Sequence, residues 1–111
     1  MDLNKKIVLG VIVVAFVATM VYAYTWNYVS ASKVQTCFDS DGGLNARFTG
    51  NISGVDLSNI TYLYNDFCKT STLLYERRCN FNGNVTYAET WSTNCNNMTE
   101  NTTQCSAGRC I

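Results

Sequence analysis

Six cysteines give this chain its most definite chemistry, because thiols either pair as disulfides or hold a metal ion. Zinc sites normally contain closely spaced pairs of ligands, whereas this chain has no CxxC pair and no histidine. The spacing therefore predicts three disulfides and an oxidising location outside the cytoplasm, without choosing among the possible pairings. The six residues are Cys37, Cys68, Cys79, Cys95, Cys105 and Cys110.

The segment DSDGG (residues 39–43) suggests a second chemistry, the binding of calcium by oxygen ligands. Asp39 and Asp41 alternate as loop ligands often do, and Asn45 would supply a third oxygen. An EF-hand loop, however, needs a ligand at its fifth position and Gly at its sixth, where this chain has Gly and Leu. Since Asp-Gly also forms turns, we predict a turn with no metal or other cofactor. Calcium bound by Asp39, Asp41 and Asn45 is the alternative.

The sequence gives little support to catalysis. Acyl transfer needs a base beside its nucleophile, and the chain contains no histidine. The glutamates Glu76, Glu89 and Glu100 have no recognisable motif around them, and thiol–disulfide exchange normally uses CxxC. Formal net charge is zero and the basic residues are scattered, so nucleic acid is not an expected partner. We therefore predict a protein that is not an enzyme.

Five N-x-S/T sequons follow the apolar N-terminal region. Glycosylation of such sites requires exposed positions in an exported protein, and all five lie in segments expected to be turns or strand edges. We predict that they carry glycans. The acceptors are Asn51, Asn59, Asn84, Asn97 and Asn101.

Residues 7–26 are an apolar run without charge or proline. At about 1.5 Å per residue, a helix of this length spans about 30 Å, the hydrocarbon thickness of a bilayer. We predict a transmembrane helix at residues 7–29, with the lipid bilayer as its partner. Because two lysines precede the run and the next basic residue is Lys33, residues 1–6 are predicted to be a cytoplasmic head.

Further features of this run refine the prediction and leave one alternative. The aromatic rings of Tyr24 and Trp26 are expected at the outer membrane interface. Ala15, Thr19 and Ala23 recur every four residues and would let helices pack closely in lipid. The alternative is a signal peptide, for which Val21 and Ala23 make a cleavage pattern that would release a chain starting at Tyr24.

The remaining residues indicate a linker at 30–36 and a disulfide-stapled β domain at 37–111. Alternating apolar and polar residues predict strands at 44–49 and 60–67, and a hairpin over residues 72–91. The predicted fold class is therefore an N-terminal transmembrane α-helix followed by a small, disulfide-rich, mostly antiparallel β domain.

The register of the predicted hairpin is open to two choices. A two-residue loop at Asn82-Gly83 would place Glu76 opposite Glu89, which is an unfavourable pair of like charges. We therefore predict a three-residue loop, which pairs Arg77 with Glu89 and Tyr75 with Trp91.

Four motifs resemble a small cysteine-rich module of archaeal secreted and surface-anchored proteins. The resemblance covers residues 37–111, differs in the long step from Cys95 to Cys105, and implies a surface location without an established activity. The motifs are CFDSDGG (37–43), GVDLSN (54–59), YNDFCKTSTLLYERRCNFNG (64–83) and CSAGRC (105–110).

We predict a membrane-anchored, glycosylated extracellular surface protein that acts by binding or packing. Its candidate contact surface is aromatic and would meet surface proteins, glycans or other copies of the chain. One alternative is a structural subunit of a surface filament or membrane assembly, and another is a secreted cysteine-rich effector. The aromatic candidates are Tyr62, Tyr64, Phe67, Tyr75, Tyr87 and Trp91.

Overall fold

The computed structural model describes residues 24–111, which contain nine strands and no helix. Every pairing between these strands is antiparallel. The strands are β1 (Asn27–Val34), β2 (Phe38–Asp39), β3 (Asn51–Val55), β4 (Thr61–Asn65), β5 (Phe67–Cys68), β6 (Leu73–Asn82), β7 (Val85–Asn94), β8 (Cys105–Ser106) and β9 (Arg109–Cys110).

The strands form two larger sheets and one small ribbon. The first sheet has the order β1-β7-β6-β5, the second has the order β2-β3-β4, and β8 pairs with β9. The long hairpin of β6 and β7 is the centre of the first sheet, as its β-branched and aromatic residues predict. The second sheet contains most of the segment predicted as a strand at residues 60–67, which is interrupted at Asp66.

The predicted fold class is wrong in its helical part. No residue from 24 to 111 is helical, and no helix in that range is long and apolar enough to cross a membrane. The end of the segment predicted as a transmembrane helix is instead part of β1, which begins at Asn27. Most of the predicted linker at 30–36 is also in β1, where Ser30 pairs with Thr90 of β7. Residues 1–23 lie outside the part of the chain that the structure describes.

Tyr24 and Trp26 pack against a core cluster of the β domain. The Tyr24 hydroxyl lies 2.9 Å from Thr102 Oγ1, and the Thr93 hydroxyl donates to the Thr25 carbonyl oxygen over 2.7 Å. Amphipathic rings fit the edge of a small core as well as they fit a membrane interface. Composition alone could therefore not separate these two environments.

The hairpin is where the sequence places it, but its register differs from both choices considered. Asn82 pairs with Val85, which leaves a two-residue loop of Gly83 and Asn84. Gly83 has a φ of +61°, and a glycine with positive φ at the first loop position is typical of a type II′ turn. This turn matches the twist of the flanking strands.

The observed register is shifted by one residue from the predicted one, so every residue of the hairpin has a different partner from the one predicted. Arg78, rather than Arg77, lies opposite Glu89, and their side chains form an ion pair with a nitrogen–oxygen distance of 2.7 Å. Glu76 lies opposite Trp91. This register avoids the clash of like charges and gains the expected ion pair through a different arginine.

The segment at 44–49 is a loop rather than the predicted strand. Ala46 is buried in the core, and its carbonyl oxygen accepts a hydrogen bond from the Cys110 N–H over 2.7 Å. The Asn45 N–H donates to the Glu76 side chain. These backbone groups form single hydrogen bonds to separate partners rather than a ladder with a neighbouring strand. The segment is therefore not a strand, although its residue types alternate.

All six cysteines pair, which confirms the predicted count of three disulfides. Each such bridge typically contributes about 2–4 kcal/mol to stability. The first joins β6 to the segment before β2, the second joins β5 to β8, and the third joins the residue after β7 to β9. The pairs are Cys37–Cys79, Cys68–Cys105 and Cys95–Cys110.

Two small apolar clusters lie on opposite faces of the first sheet. On one face, Val34 and Ala88 pack against Ile52 of the second sheet. On the other face, Leu74 packs against Ala46 and the cysteines near the C-terminus. Each cluster includes or contacts cystine sulfur, because a domain of this size buries too little hydrocarbon to be stable without covalent links.

The disulfide connectivity predicts a specific peptide map. Trypsin together with a Glu-specific protease should cut the deglycosylated, unreduced chain into fragments that each contain one cysteine, joined in three pairs. Mass spectrometry before and after reduction measures these pairs, and a direct link between 101–109 and 110–111 would contradict the structure. The expected pairs are 34–47 with 79–89, 48–69 with 101–109, and 90–100 with 110–111.

Candidate functional site

Three carboxyl groups from distant parts of the chain meet beside β6. Asp41 lies in the loop between β2 and β3, Asp66 lies between β4 and β5, and Glu76 is part of β6. One oxygen atom from each residue lies within 4.8 Å of the others. We call these three residues the carboxylate cluster.

Asp66 is the member with the most hydrogen bonds. It is buried, and its Oδ2 and Oδ1 atoms accept from the N–H groups of Gly50 at 2.7 Å and Arg77 at 2.8 Å. Burial raises the pKa of Asp66 to about 6, although these hydrogen bonds and the Arg77 charge act in the opposite direction. Asp66 thus joins the turn before β3 to the middle of β6.

Glu76 is fully buried, with 0% of its surface exposed. Its Oε1 atom accepts from the Asn45 N–H, but its Oε2 atom has no hydrogen-bond partner. Burial raises the pKa of Glu76 to about 9. The hydrogen bond from Asn45 opposes this rise, and the negative charges of Asp66 and Asp41 add to it.

Asp41 is the member of the cluster whose carboxyl group has no donor. Neither of its buried carboxyl oxygens has a hydrogen-bond partner, and burial together with the neighbouring Asp39 raises its pKa to about 7. Gly50 makes room for this group, because a Cβ atom there would lie 2.4 Å from Asp41 Oδ2. A larger residue at position 50 would therefore displace the Asp41 carboxyl.

Glu89 shows how this fold satisfies a buried carboxylate with donors. Its oxygens accept from Arg78 Nε at 2.7 Å and from the side-chain N–H groups of Trp91 and Asn80 at 3.1 Å each. Burial alone would raise the pKa of Glu89, but these donors and the Arg78 charge outweigh it and lower the pKa. Glu76 and Glu89 therefore differ in their donors and in the direction of their pKa shifts.

A second candidate site is a row of stacked aromatic and cationic side chains on the surface. The Arg77 guanidinium lies over the rings of Tyr64 and Phe67, at 5.2 and 5.4 Å from their centroids. Phe67 contacts Tyr75 at 5.3 Å, and Tyr64 stacks on Tyr62 at 5.0 Å. We call these five residues the aromatic row.

The remaining aromatic candidates lie elsewhere. Trp91 contacts Tyr28 of β1 edge to face at 5.6 Å and lies beneath the Arg78 guanidinium. Glu76 and Trp91 are opposite one another, so the Trp91 side chain is on the same face of the hairpin as the carboxylate cluster. The Arg77 side chain is on the other face, because successive residues of a strand point to opposite faces. Tyr87 is half-buried opposite Asn80.

The structure brings together only part of the calcium site considered from the sequence. Asp41 belongs to the carboxylate cluster, and Asp39 lies next to it, with its Oδ1 atom accepting from the Asp41 N–H at 3.3 Å. The Asn45 side-chain oxygen instead accepts from the Arg47 N–H, also at 3.3 Å. The sequence analysis did not identify Asp66 and Glu76 as ligands. Glu76 had one signal: it is two positions after the apolar Leu74 in a predicted strand, so both side chains point to the same, inward face.

The sequon asparagines differ in accessibility. Asn59, Asn84 and Asn101 are exposed in turns, whereas Asn51 and Asn97 are half-buried. The Asn97 side-chain oxygen accepts from two backbone N–H groups of its own turn. The predicted helix-packing residues lie outside residues 24–111, and they are Ala15, Thr19 and Ala23.

Comparison of the chain with protein-family models, with curated proteins and with solved structures finds no match. The resemblance to the archaeal surface module therefore stays a prediction, and the functional argument depends on the geometry of this chain.

The chemistry available at the carboxylate cluster is that of oxygen ligands and proton carriers. The chain has no histidine, and all six cysteines are closed in disulfides, so the candidate ligands are carboxylates. Buried carboxyl groups without donors must be protonated or meet a cation. Two further charged groups act on this cluster. Asp39 raises the pKa of Asp41, and the Arg77 guanidinium acts to lower the pKa of Asp66.

We expect replacement of Glu76 by glutamine to stabilise the protein increasingly at high pH in buffer that contains a chelator. Folding favours protonated Glu76, so its contribution is present below the ordinary pKa of 4.5 and is lost as pH rises towards about 9. Glutamine keeps the oxygen that accepts from Asn45 and carries no charge. The difference in unfolding free energy between Glu76→Gln and the parent should increase by more than about 1 kcal/mol from pH 5 to pH 9.

Urea unfolding followed by tryptophan fluorescence measures this difference. Glu89→Gln is the matched control, because the lowered pKa of Glu89 places its titration below 4.5 and predicts a constant difference above about pH 5.5. A constant difference for Glu76→Gln as well would contradict the raised pKa.

Proposed function

We propose that this protein works outside the cytoplasm as a disulfide-stapled binding domain that makes contact through the aromatic row. The stability of the fold supports the location. Both core clusters depend on cystine sulfur, and a reducing cytosol would open the bridges that hold them. A domain with so little buried hydrocarbon would then lose most of its stability of about 5–15 kcal/mol.

The exposure of the aromatic row is the observation that carries the proposed binding function. Tyr64 and Phe67 keep 42% and 37% of their surface exposed. Arg77 stacks between them, and Lys69 lies 5.9 Å from the Tyr75 ring. Exposed aromatic groups that are contiguous and bordered by charge are typical of interaction surfaces.

The chemistry of the row favours a protein as the partner. Tyrosine and arginine are enriched among the residues that dominate protein interfaces, because they bury large areas and keep a polar group for hydrogen bonding. The rings of Tyr62 and Tyr64 are already stacked and Tyr62 donates to the Thr36 carbonyl oxygen at 2.7 Å, so little side-chain entropy is lost on binding. A glycan partner is the competing possibility for such a surface.

An extracellular location predicts that the domain is accessible in intact cells. A membrane-impermeant amine reagent should label Lys33 and Lys69, which are both exposed. The intact mass of the same sample should include glycans, for which Asn59, Asn84 and Asn101 are the proposed carriers. Labelling that requires cell lysis would contradict the location. The distribution between cells and medium then distinguishes a surface-held protein from a released one.

The binding surface can be tested with a photo-crosslinking phenylalanine analogue placed at Tyr64 in cells that make the protein. Irradiation should give a discrete adduct whose added mass remains after glycosidase treatment and whose tryptic peptides include sequences that are not from this chain. The matched control places the same analogue at Phe81, which is also exposed but lies at the end of the hairpin outside the row. Equal adducts from both positions, or none from Tyr64, would contradict the proposal.

One other outcome of that experiment would favour the structural-subunit alternative. β4, which contains Tyr64, is an edge strand of the second sheet and is exposed at every position except Tyr62. Edge strands offer unpaired backbone groups to a strand from another copy. An adduct of twice the chain's mass would therefore indicate assembly of copies of this chain instead of a different protein partner.

A further inference from the structure

We propose that the carboxylate cluster of Asp41, Asp66 and Glu76 binds a divalent cation, and specifically calcium. Their ligand oxygens lie within 4.8 Å of one another, which lets one ion bridge all three groups. The three residues belong to separate segments of the chain, so an ion there would join the loop after β2, the junction of β4 and β5, and β6. This inference is independent of the proposed binding surface.

Unpartnered oxygens provide the second observation for the site. Glu76 Oε2 is fully buried without a donor, and so are both carboxyl oxygens of Asp41. Buried polar atoms in folded proteins nearly always have a partner. Since a cation binds several carboxylate oxygens at once, it would satisfy Asp41 and Glu76 together.

Within residues 24–111 no basic side chain forms an ion pair with the cluster, although the nearby charge of Arg77 acts to lower the pKa of Asp66. The two ion pairs of that region join Arg47 to Glu100 and Arg78 to Glu89. The guanidinium of Arg77 is used elsewhere, because it lies over two aromatic rings and donates to the Thr90 hydroxyl. Only the backbone N–H of Arg77 bonds to the cluster, through Asp66.

The ligand chemistry selects calcium among divalent ions. Carboxylate oxygens are hard ligands that suit calcium and magnesium rather than zinc or copper, and the described cysteines are closed in disulfides. Calcium accepts six to eight oxygens in irregular geometry, whereas magnesium demands a near-ideal octahedron. The two oxygens of Asp66 already accept N–H groups in fixed directions, so the irregular geometry of calcium fits better.

The surrounding backbone is shaped for the carboxyl groups rather than for an apolar core. Gly50 leaves space for Asp41 and donates its N–H to Asp66, so one residue serves two members of the cluster. The Asn45 N–H fixes Glu76 Oε1 and leaves Oε2 for the ion. The loop between β2 and β3 thus supplies one member of the cluster, Asp41, and the backbone donors to the other two.

Thermal unfolding of the full oxidised chain at pH 7.5 tests the inference. Calcium chloride added after removal of divalent ions by EDTA should raise the melting temperature with dose, by about 5–10 °C at ten times the dissociation constant. Calorimetric titration should give one bound calcium per chain, with a dissociation constant of about 10⁻⁴–10⁻³ M, as in extracellular modules. Magnesium at equal concentration should give a smaller shift.

Matched variants locate the ion. Glu76→Gln should fold, lose the calcium-dependent shift and lose the calorimetric signal, whereas Glu100→Gln, outside the cluster, should keep both. Asp41→Asn, on a loop and only half-buried, provides the same test if Glu76→Gln does not fold. An unchanged shift in both cluster variants would overturn the inference, since calcium would then bind elsewhere. A parent without any calcium response would also overturn it, and a stabilised Glu76→Gln in that case would assign the cluster to protonation.

Discussion

The ten residue pairs that join β6 to β7 set the positions on which both candidate sites depend. Side chains along β6 alternate between the two faces of the sheet. One face receives Leu74, Glu76 and Arg78, and the other receives Arg77 and Cys79. A shift of one residue would send Glu76 away from Asp41 and Asp66 and would turn Arg77 away from the aromatic rings. The Gly83–Asn84 turn fixes this register at one end.

The disulfides hold the remaining segments against this hairpin. Cys37–Cys79 attaches the second sheet to one face, and the two bridges near the C-terminus attach β8 and β9 to the opposite side. Apolar residues are too few to do this alone, and several buried positions are polar instead, such as Thr93 and Glu76. In this stapled domain, part of the buried volume is therefore occupied by polar side chains.

Local patterns predicted only the features that depend on local chemistry. Cysteine count gave the number of bridges, and the alternation around Asn82 and Gly83 gave the position of the hairpin. The register was missed because Gly83 could be the first or second residue of the turn, and only packing of Glu76 and Arg78 separates these cases.

The helix prediction was wrong at its end because Tyr24 and Trp26 pack against a protein core. The edge of such a core and a membrane interface both suit amphipathic aromatic rings, so the residue types did not separate them. Asp41, Asp66 and Glu76 could not be grouped, because their proximity depends on tertiary contacts between three segments.

The two candidate sites share a backbone connection although they face different sides of β6. Asp66 accepts a hydrogen bond from the Arg77 N–H. Phe67 follows Asp66 in the chain and Arg77 follows Glu76, and both Phe67 and Arg77 are part of the aromatic row. A shift of the backbone at Asp66 or Glu76 would therefore be passed to Phe67 or Arg77, whose ring centroid and guanidinium are 5.4 Å apart. Because cation–aromatic attraction depends on that distance, the calcium ion proposed at the carboxylate cluster would have a backbone link to the exposed row. The position of Asp66, buried at the junction between β4 and β5, makes it the residue through which this link passes.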